Sequence, residues 1–230
     1  MKFNKVCFAL LMLLAIASQS CTDMNDLTDK YLDEGEIVYA AKVDSVGVRA
    51  GENRIQLDIY VKAQRVENLR VYWNNYEDSV DVEIGGKTGV FPVILDDMPE
   101  SGYLFQLVSF DKFGNRSLEF EATGSSYGEN YKNGLSNRSY TTEFTRYDME
   151  GDSMVIYWGG TVRGAIGMDL QYTDISDKTV HMEVPADAST TTLYKLKGNV
   201  SYNLRFLPEE NAIDTFTTVS KSIPIIMKAR

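Results

Sequence analysis

The chain has 230 residues, of which 33 are Asp or Glu and 23 are Lys or Arg, so its net charge is -10. This acidic balance, without any basic stripe, argues against nucleic acid as a partner, because phosphate binding needs clustered Lys and Arg. The only cysteines are Cys7 and Cys21, both near the N-terminus, so no disulfide framework can stabilise the rest of the chain. The length is enough for one large domain or two small ones.

The N-terminal segment has the pattern of a lipoprotein signal peptide. Lys2 and Lys5 precede an almost unbroken apolar run over residues 6–16, and small or neutral residues then lead to Cys21. The run is shorter than the roughly 20 apolar residues that a permanent transmembrane helix needs. We therefore predict that residues 1–20 are removed and that Cys21 carries the lipid as the sole membrane attachment.

An acidic segment over residues 21–36 follows Cys21, and we predict that it is a tether. From Ile37 the sequence changes to short alternating runs separated by turn residues, such as Gly85-Gly86. The clearest run is in residues 55–61, where Ile or Leu alternates with polar residues, and period-two alternation is typical of half-buried strands. About seven such runs predict a β-sandwich over residues 37–123.

The same pattern recurs later in the chain. Five positions have a similar residue 99 positions further on, as Trp73 has in Tyr172. The pairs are Ile55 and Met154, Leu57 and Ile156, Ile59 and Trp158, Trp73 and Tyr172, and Tyr103 and Tyr202. We therefore predict an all-β chain with two tandem β-sandwiches, the second over residues 140–230. In the linker, residues 124–139, Tyr127, Tyr131 and Leu135 have the spacing of one helical face, which predicts one or two helical turns.

The first repeat resembles a known fold class near its end. The run Tyr103-x-Phe105-x-Leu107, followed by Asp111-Lys112-Phe113-Gly114-Asn115-Arg116-Ser117, is similar to the last hairpin of fibronectin type III domains. The resemblance implies immunoglobulin/fibronectin type III-like sandwiches. It covers strands and carries no functional site.

Several motifs resemble a Bacteroidota lipoprotein family, the family of unknown function numbered four thousand nine hundred and ninety-eight. They are Lys30-Tyr31-Leu32, Gly35-Glu36-Ile37-Val38-Tyr39, Asn53-Arg54, Tyr72-Trp73-Asn74, Ser126-Tyr127-Gly128 and Leu207-Pro208-Glu209-Glu210-Asn211-Ala212-Ile213-Asp214-Thr215-Phe216. Members are commonly encoded beside glycan importers of the starch-utilisation type. The resemblance implies an outer-membrane lipoprotein, facing the cell surface, that works with such an importer complex. It supplies no catalytic or ligand residues.

The residues give little support to catalysis or metal binding. His181 is the only histidine and falls at an outward position of a predicted strand. With Cys7 removed and Cys21 lipidated, as predicted, neither a second histidine nor a free thiol remains to complete an ordinary zinc site. A G-x-S-x-G nucleophile motif is absent. Acidic pairs such as Asp96-Asp97 fall in predicted loops, where solvated turns are the usual explanation. We therefore expect a protein that is not an enzyme and has no cofactor, although a glycosidase needs only two suitably placed carboxylates.

Exposed aromatic residues are the best signal for a glycan, because sugar rings stack their C–H faces on Trp or Tyr. Trp73 and Trp158 fall on the inward phase of their strands, so we expect both in the cores. Tyr72 and Tyr76 fall on the outward phase or in the adjoining loop, next to Asn74 and Asn75. These four residues are the predicted glycan contacts; ordinary surface tyrosines are the alternative explanation.

Three Asp-Ser-apolar tripeptides resemble the O-glycosylation consensus of Bacteroidota envelope proteins. Their serines are Ser45, Ser79 and Ser153. Asp-Ser is also favourable turn chemistry, so the same tripeptides have a purely structural explanation.

Two functions fit the sequence. The first is a non-enzymatic outer-membrane lipoprotein that assists the capture or import of a glycan. The alternative is a structural or adhesive spacer that docks partner proteins without binding sugar.

Overall fold

The computed structural model describes residues 38–145 and 152–225. Cys21, the predicted signal peptide and the predicted tether lie outside the described residues. Among the residues that are described, none belongs to a helix long and apolar enough to cross a membrane.

Residues 45–126, all of them described, form seven antiparallel strands in two sheets. The strands are β1 (Ser45–Ala50), β2 (Ile55–Val61), β3 (Val66–Trp73), β4 (Asp78–Glu83), β5 (Gly89–Leu95), β6 (Ser101–Asp111) and β7 (Phe120–Ser126). One sheet has the order β1-β2-β5 and the other the order β4-β3-β6-β7. The alternation in the sequence places the core between them, since Ile55, Leu57 and Ile59 of β2 are fully buried.

The described residues 140–145 and 152–223 form a second set of seven strands. They are β8 (Tyr140–Thr145), β9 (Asp152–Trp158), β10 (Ala165–Asp174), β11 (Thr179–Val184), β12 (Thr190–Phe206), β13 (Phe216–Thr217) and β14 (Lys221–Ile223). The helix α1 (Glu129–Gly134) lies between the two sets, in the predicted linker.

Strand β12 distinguishes the second sandwich from the first. Its first part pairs with β9 and its second part with β10, so it runs through both layers, whereas the first repeat uses the separate strands β5 and β6. Register shifts and the positive φ angles of Lys195 (55°) and Asn199 (52°) lie where β12 passes from one layer to the other. The layers therefore belong to one continuous sheet, in the order β11-β10-β12-β9-β8.

The matched positions of the two repeats are not buried equally. Trp158 is 7 % exposed and packs in the second core, as expected. Trp73 packs against the first core, as expected, but it is only half-buried and lies at the edge of that core. The reason is its position, since it is the last residue of β3.

Tyr103 and Tyr202 show how the repeats diverge. The Tyr103 hydroxyl donates to the Pro99 carbonyl at 2.7 Å, across the corner between β5 and β6, which is the geometry of a tyrosine corner. The continuous strand β12 has no such corner, and the Tyr202 hydroxyl donates instead to the carbonyl of Arg138. Burial raises the pKa of Tyr202 to about 12.

Arg138 is a buried cation that binds backbone oxygens. It is 4 % exposed, and its guanidinium donates to the carbonyls of Gly159, Gly160, Ala186 and Ala188 at 2.6–3.1 Å. These carbonyls belong to the loops before β10 and before β12. Arg138 therefore ties two loops of the second sandwich to the segment that enters it.

The Arg138→Met substitution tests this function. Methionine keeps an unbranched side chain but leaves several buried carbonyls without a donor, so we expect a loss of at least about 3 kcal/mol in the free energy of unfolding. Chemical denaturation measures it. The control is Arg163→Met at an exposed position, which we expect to change stability by less than about 0.5 kcal/mol. Equal effects of the two substitutions would contradict the assignment.

Candidate functional site

The four predicted glycan contacts lie together at the turn between β3 and β4. We call Tyr72, Asn74, Asn75 and Tyr76 the tyrosine cluster. Asn74, Asn75 and Tyr76 have consecutive positive φ angles of 50°, 55° and 66°, which produce a tight left-handed turn. The rings of Tyr72 and Tyr76 lie 5.2 Å apart at 58°. The Asn74 amide donates to Asp78 at 2.6 Å, while Asn75 is exposed.

Tyr76 lies across the outward face of its sheet. Its hydroxyl donates to the Glu119 carboxylate at 2.9 Å, and Glu119 lies just before β7, on the far side of β6 from the turn. Gln106 and Val108 of β6 point outward by register, yet they are only 8 % and 1 % exposed. We infer that the two tyrosines fill the face above them. Tyr76 itself remains 48 % exposed, and the hydrogen bond to Glu119 raises its pKa.

The second sandwich carries a feature that the sequence did not predict. On the outward face of β10, β11 and β12, a groove of about 470 Å³ is lined by polar side chains. We call it the polar groove. Its polar lining residues are Asp169, Gln171, His181, Glu183, Ser201, Asn203 and Ser220. A neighbouring groove of about 430 Å³ shares Gln171 and Ser201 with it, so the depression is elongated.

Strand register arranges the polar groove in two rows. His181, Gln171 and Ser201 stand side by side on adjacent strands, and the Gln171 amide donates to the Ser201 hydroxyl at 3.1 Å. The next row consists of Glu183, Asp169 and Asn203. His181 is exposed on an outward position as predicted, but the prediction did not recognise that its neighbours form a concave surface.

Arg205 contacts two carboxylates that line the polar groove. Its guanidinium lies 3.4 Å from Asp169 and 3.5 Å from Glu183. Gly167 leaves room for the Arg205 guanidinium, because a Cβ on residue 167 would lie only 2.8 Å from it. The glycine lets the guanidinium lie directly on the sheet, and the two carboxylates are partly neutralised.

A third assembly, the junction, joins the two sandwiches. The Asp214 carboxylate accepts two hydrogen bonds from the Arg54 guanidinium, at 2.5 and 2.8 Å, and one from the Glu52 backbone N–H at 2.8 Å. The Ile213 N–H donates to the Ala50 carbonyl at 2.7 Å. A side chain at Gly51 would clash, since its Cβ would lie 2.6 Å from Asp214. The segment after β12 is thus fixed to the turn between β1 and β2.

An aromatic cluster covers the other side of the junction. Tyr131 of α1 lies 5.0 Å from Phe216 of β13 and 4.9 Å from Tyr127, all in edge-on geometry. The Tyr127 hydroxyl donates to Glu209 at 3.1 Å, and burial followed by this hydrogen bond raises the pKa of Tyr127. Phe216 is only 1 % exposed, so the linker aromatics complete the second core.

The helix α1 is attached to the first sandwich by charged groups. The Glu100 carboxylate accepts from the backbone N–H groups of Asn130 and Tyr131, at 2.8 Å each, and so caps the first turn. Lys132 donates to Glu52 and, at 3.1 Å, to Glu129. The linker therefore contacts both sandwiches.

The predicted glycosylation serines have different exposures. Ser45 and Ser79 are exposed on β1 and β4. Ser153 of β9 is 4 % exposed, so a glycan has less access to it in the folded sandwich than to the other two serines. Among the described residues, no group of three or more His, Cys, Asp or Glu is placed to hold a metal ion.

The family follows from the sequence match. The model of DUF4998, a domain of unknown function, matches residues 21–216. The chain belongs to this family. The description of DUF4998 names no activity, and no curated protein matches the chain.

Solved structures that are similar to this DUF4998 chain contain fibronectin type III domains. The chicken CNTN1 FN1-FN3 domains match with 13 % identity and a TM-score of 0.41, over 80 % of this chain and 64 % of that one. A two-domain fibronectin type III segment of chicken tenascin matches with 16 % identity and a TM-score of 0.31, over 78 % of this chain and 96 % of that one. The predicted all-β class with fibronectin type III-like sandwiches is confirmed, and the strand pairing described above is its basis.

Three of the six motifs that carried the resemblance to DUF4998 meet at the junction. Arg54 comes from one motif, Tyr127 from a second, and Asp214 and Phe216 from a third, 160 residues from Arg54 in the case of Asp214. These motifs therefore have a structural explanation, which is the attachment of one sandwich to the other.

The Asp214→Asn substitution tests the junction through pH. The Arg54 hydrogen bonds hold the pKa of Asp214 below its usual value of about 3.9. A depressed folded-state pKa contributes stability above the unfolded pKa and loses it as pH falls through the folded pKa. The stability difference between wild type and Asp214→Asn should therefore be constant above about pH 5 and shrink below about pH 4.

Denaturation over a pH series measures this difference, with Asp81→Asn as the matched control. Asp81 also accepts two hydrogen bonds from an arginine, Arg70, and has a lowered pKa, but the pair lies within the first sandwich. Only Asp214→Asn should make the two sandwiches unfold in separate transitions. A stability difference that grows as pH falls would refute the assignment.

Proposed function

We propose that the protein is a non-enzymatic outer-membrane lipoprotein, anchored by lipid on Cys21, that assists the capture or import of a glycan at the cell surface. Support comes from the lipoprotein signal in the sequence, from the family match and from a fold of two joined sandwiches. The proposed partners are the membrane, a glycan and an importer complex of the starch-utilisation type.

The tyrosine cluster is the observation that carries the glycan part of the proposal. It combines an aromatic ring that is 48 % exposed with the amide of Asn75 on a projecting turn. A sugar can stack a C–H face on the ring while amides bind its hydroxyl groups. The Glu119 hydrogen bond holds Tyr76 in position, so little rotamer entropy is lost on binding.

A docking function is the second candidate, and the loop between β6 and β7 favours it. Phe113 and Leu118 are 78 % and 62 % exposed there. The Asp111 carboxylate holds the loop by accepting from the backbone N–H groups of Phe113 and Asn115, and hydrogen bonding led by the Asn115 side chain lowers its pKa. A rigid loop with exposed apolar side chains is suited to contact with a protein partner.

The double substitution Tyr72→Ala and Tyr76→Ala tests the glycan contact. It removes the stacking surface, so we expect at least about a tenfold loss of affinity for any glycan that the wild type binds at this cluster. A glycan array followed by titration calorimetry measures it. Tyr157→Ala is the matched control, since Tyr157 is 41 % exposed and its hydroxyl also donates to a glutamate, Glu143, at 3.0 Å. Unchanged glycan binding by the double variant would exclude the cluster as the contact.

The Cys21→Ala substitution tests the anchor. We expect the variant to leave the membrane fraction while its thermal stability stays that of the wild type, because the lipid is the only proposed attachment. Cell fractionation measures the first quantity and calorimetry the second. A variant that remains membrane-bound would show that another surface holds the protein.

A further inference from the structure

The outward face of one sheet differs between the two repeats: it carries a tyrosine pair in the first repeat and the polar groove in the second. A shift of 99 positions places Tyr72 on Gln171 and Tyr76 on Ile175. In the sheets, Tyr72 is paired with Gln106 and Gln171 is paired with Ser201. In the first repeat the tyrosine rings lie together on this face, and the Tyr76 hydroxyl reaches Glu119 on the far side of β6. In the second repeat the equivalent position on β10 is Gln171, whose side chain lines the polar groove instead of covering it.

The lining of the polar groove determines the class of ligand. Amide, imidazole, hydroxyl and carboxylate groups alternate along the two rows, so donors and acceptors stand about 5 Å apart between strands. A ligand must both donate and accept hydrogen bonds at short intervals to satisfy them, which is the property of a polyhydroxylated chain. An apolar ligand would leave these groups desolvated and unpaired.

Charge restricts the ligand further. The groove is lined by the carboxylates of Asp169 and Glu183, which share ion pairs with one arginine, Arg205, and the whole chain has a net charge of -10. This net negative charge disfavours an anionic ligand. The Arg205 Nε is buried and makes no hydrogen bond among the described residues, so its contact with Asp169 leaves the carboxylate able to accept from a hydroxyl.

The length of the depression sets the size of the ligand. The polar groove and its neighbour are contiguous through Gln171 and Ser201, and the second one continues past Asn199 and Ser222 to Ile225. Two connected grooves of this size exceed what one sugar ring would fill. The shape fits a linear chain of several rings.

We propose that the polar groove binds a neutral oligosaccharide chain through hydrogen bonds from its two rows of side chains. The polar groove lies in the second sandwich and the tyrosine cluster in the first. Experiments can therefore exclude sugar binding at one of them without excluding it at the other. The binding is dominated by hydrogen bonds to neutral hydroxyl groups, which predicts modest affinity and little dependence on salt.

The experiment is titration calorimetry of the full chain, purified in a detergent without a sugar headgroup. The probes are the neutral hexasaccharides cellohexaose, xylohexaose, maltohexaose and mannohexaose, with the acidic hexagalacturonate for comparison. We expect at least one neutral hexasaccharide to bind, and hexagalacturonate to bind at least about tenfold more weakly. Failure of the wild type to bind any of the four neutral probes would overturn the proposal.

The variant Gln171→Tyr fills the groove as the tyrosine at the equivalent position fills the face in the first repeat. We expect it to weaken binding of the neutral probe at least about tenfold. The matched control, Thr141→Tyr, places the same side chain at an exposed position on β8 and should leave affinity unchanged. Near-UV circular dichroism checks that both variants keep the native fold.

A second variant separates filling from loss of contacts. Asn203→Ala removes a donor and an acceptor without filling the groove, and we expect about a fivefold weaker binding. Unchanged affinity in both Gln171→Tyr and Asn203→Ala would overturn the proposal.

The double substitution of Tyr72 and Tyr76 distinguishes the two sites. If it alone abolishes binding, the sugar binds at the tyrosine cluster and the groove proposal is wrong. The converse result would retain the groove and exclude the cluster.

Discussion

The carboxylate of Asp214 is the contact on which the arrangement of the two sandwiches depends. It receives the Arg54 guanidinium in two hydrogen bonds and the Glu52 N–H in a third, so all the contacts come from the turn between β1 and β2. Gly51 leaves the space that the carboxylate needs. The aromatic contacts of α1 with Phe216 add apolar burial on the other side. A carboxylate with well-aligned charged and backbone donors gives geometric specificity as well as attraction, which a simple apolar contact would not supply.

The two sandwiches carry different surfaces on an equivalent face. The residues that face inward at matched positions remain apolar, because each repeat must fill a similar core. The outward residues are free of that requirement. Tyrosines close the face of the first repeat, whereas Gln171 leaves the face of the second open. The junction then holds a projecting aromatic turn and a concave polar surface in one molecule, which is the physical basis for proposing a protein that holds a ligand without transforming it.

Period-two alternation was sufficient to predict the strands and the repeat, because burial on one face dictates that pattern. The alternation could not predict that β12 is continuous where the first repeat has a corner between β5 and β6. That difference depends on the φ angles of Lys195 and Asn199. The sequence pattern would place an arginine such as Arg138 on the surface, and its burial depends on carbonyls brought together from distant loops.

The tyrosine cluster was found from adjacent aromatic and amide residues. The polar groove was missed because outward polar residues on a strand are the ordinary pattern, and the groove forms only where β10, β11 and β12 lie side by side in the sheet.

Residual dipolar couplings of backbone amides, measured by NMR in a weakly aligned sample, test most directly whether the junction makes the two sandwiches one body. Couplings from residues 45–126 and from residues 152–223 each define an alignment tensor. If the junction holds the two sandwiches together, one tensor fits both sets, with the same magnitude and orientation, at neutral pH where Asp214 is ionised. Two tensors of different magnitude in the wild type would show that the sandwiches reorient independently, and would contradict the junction as the organising contact.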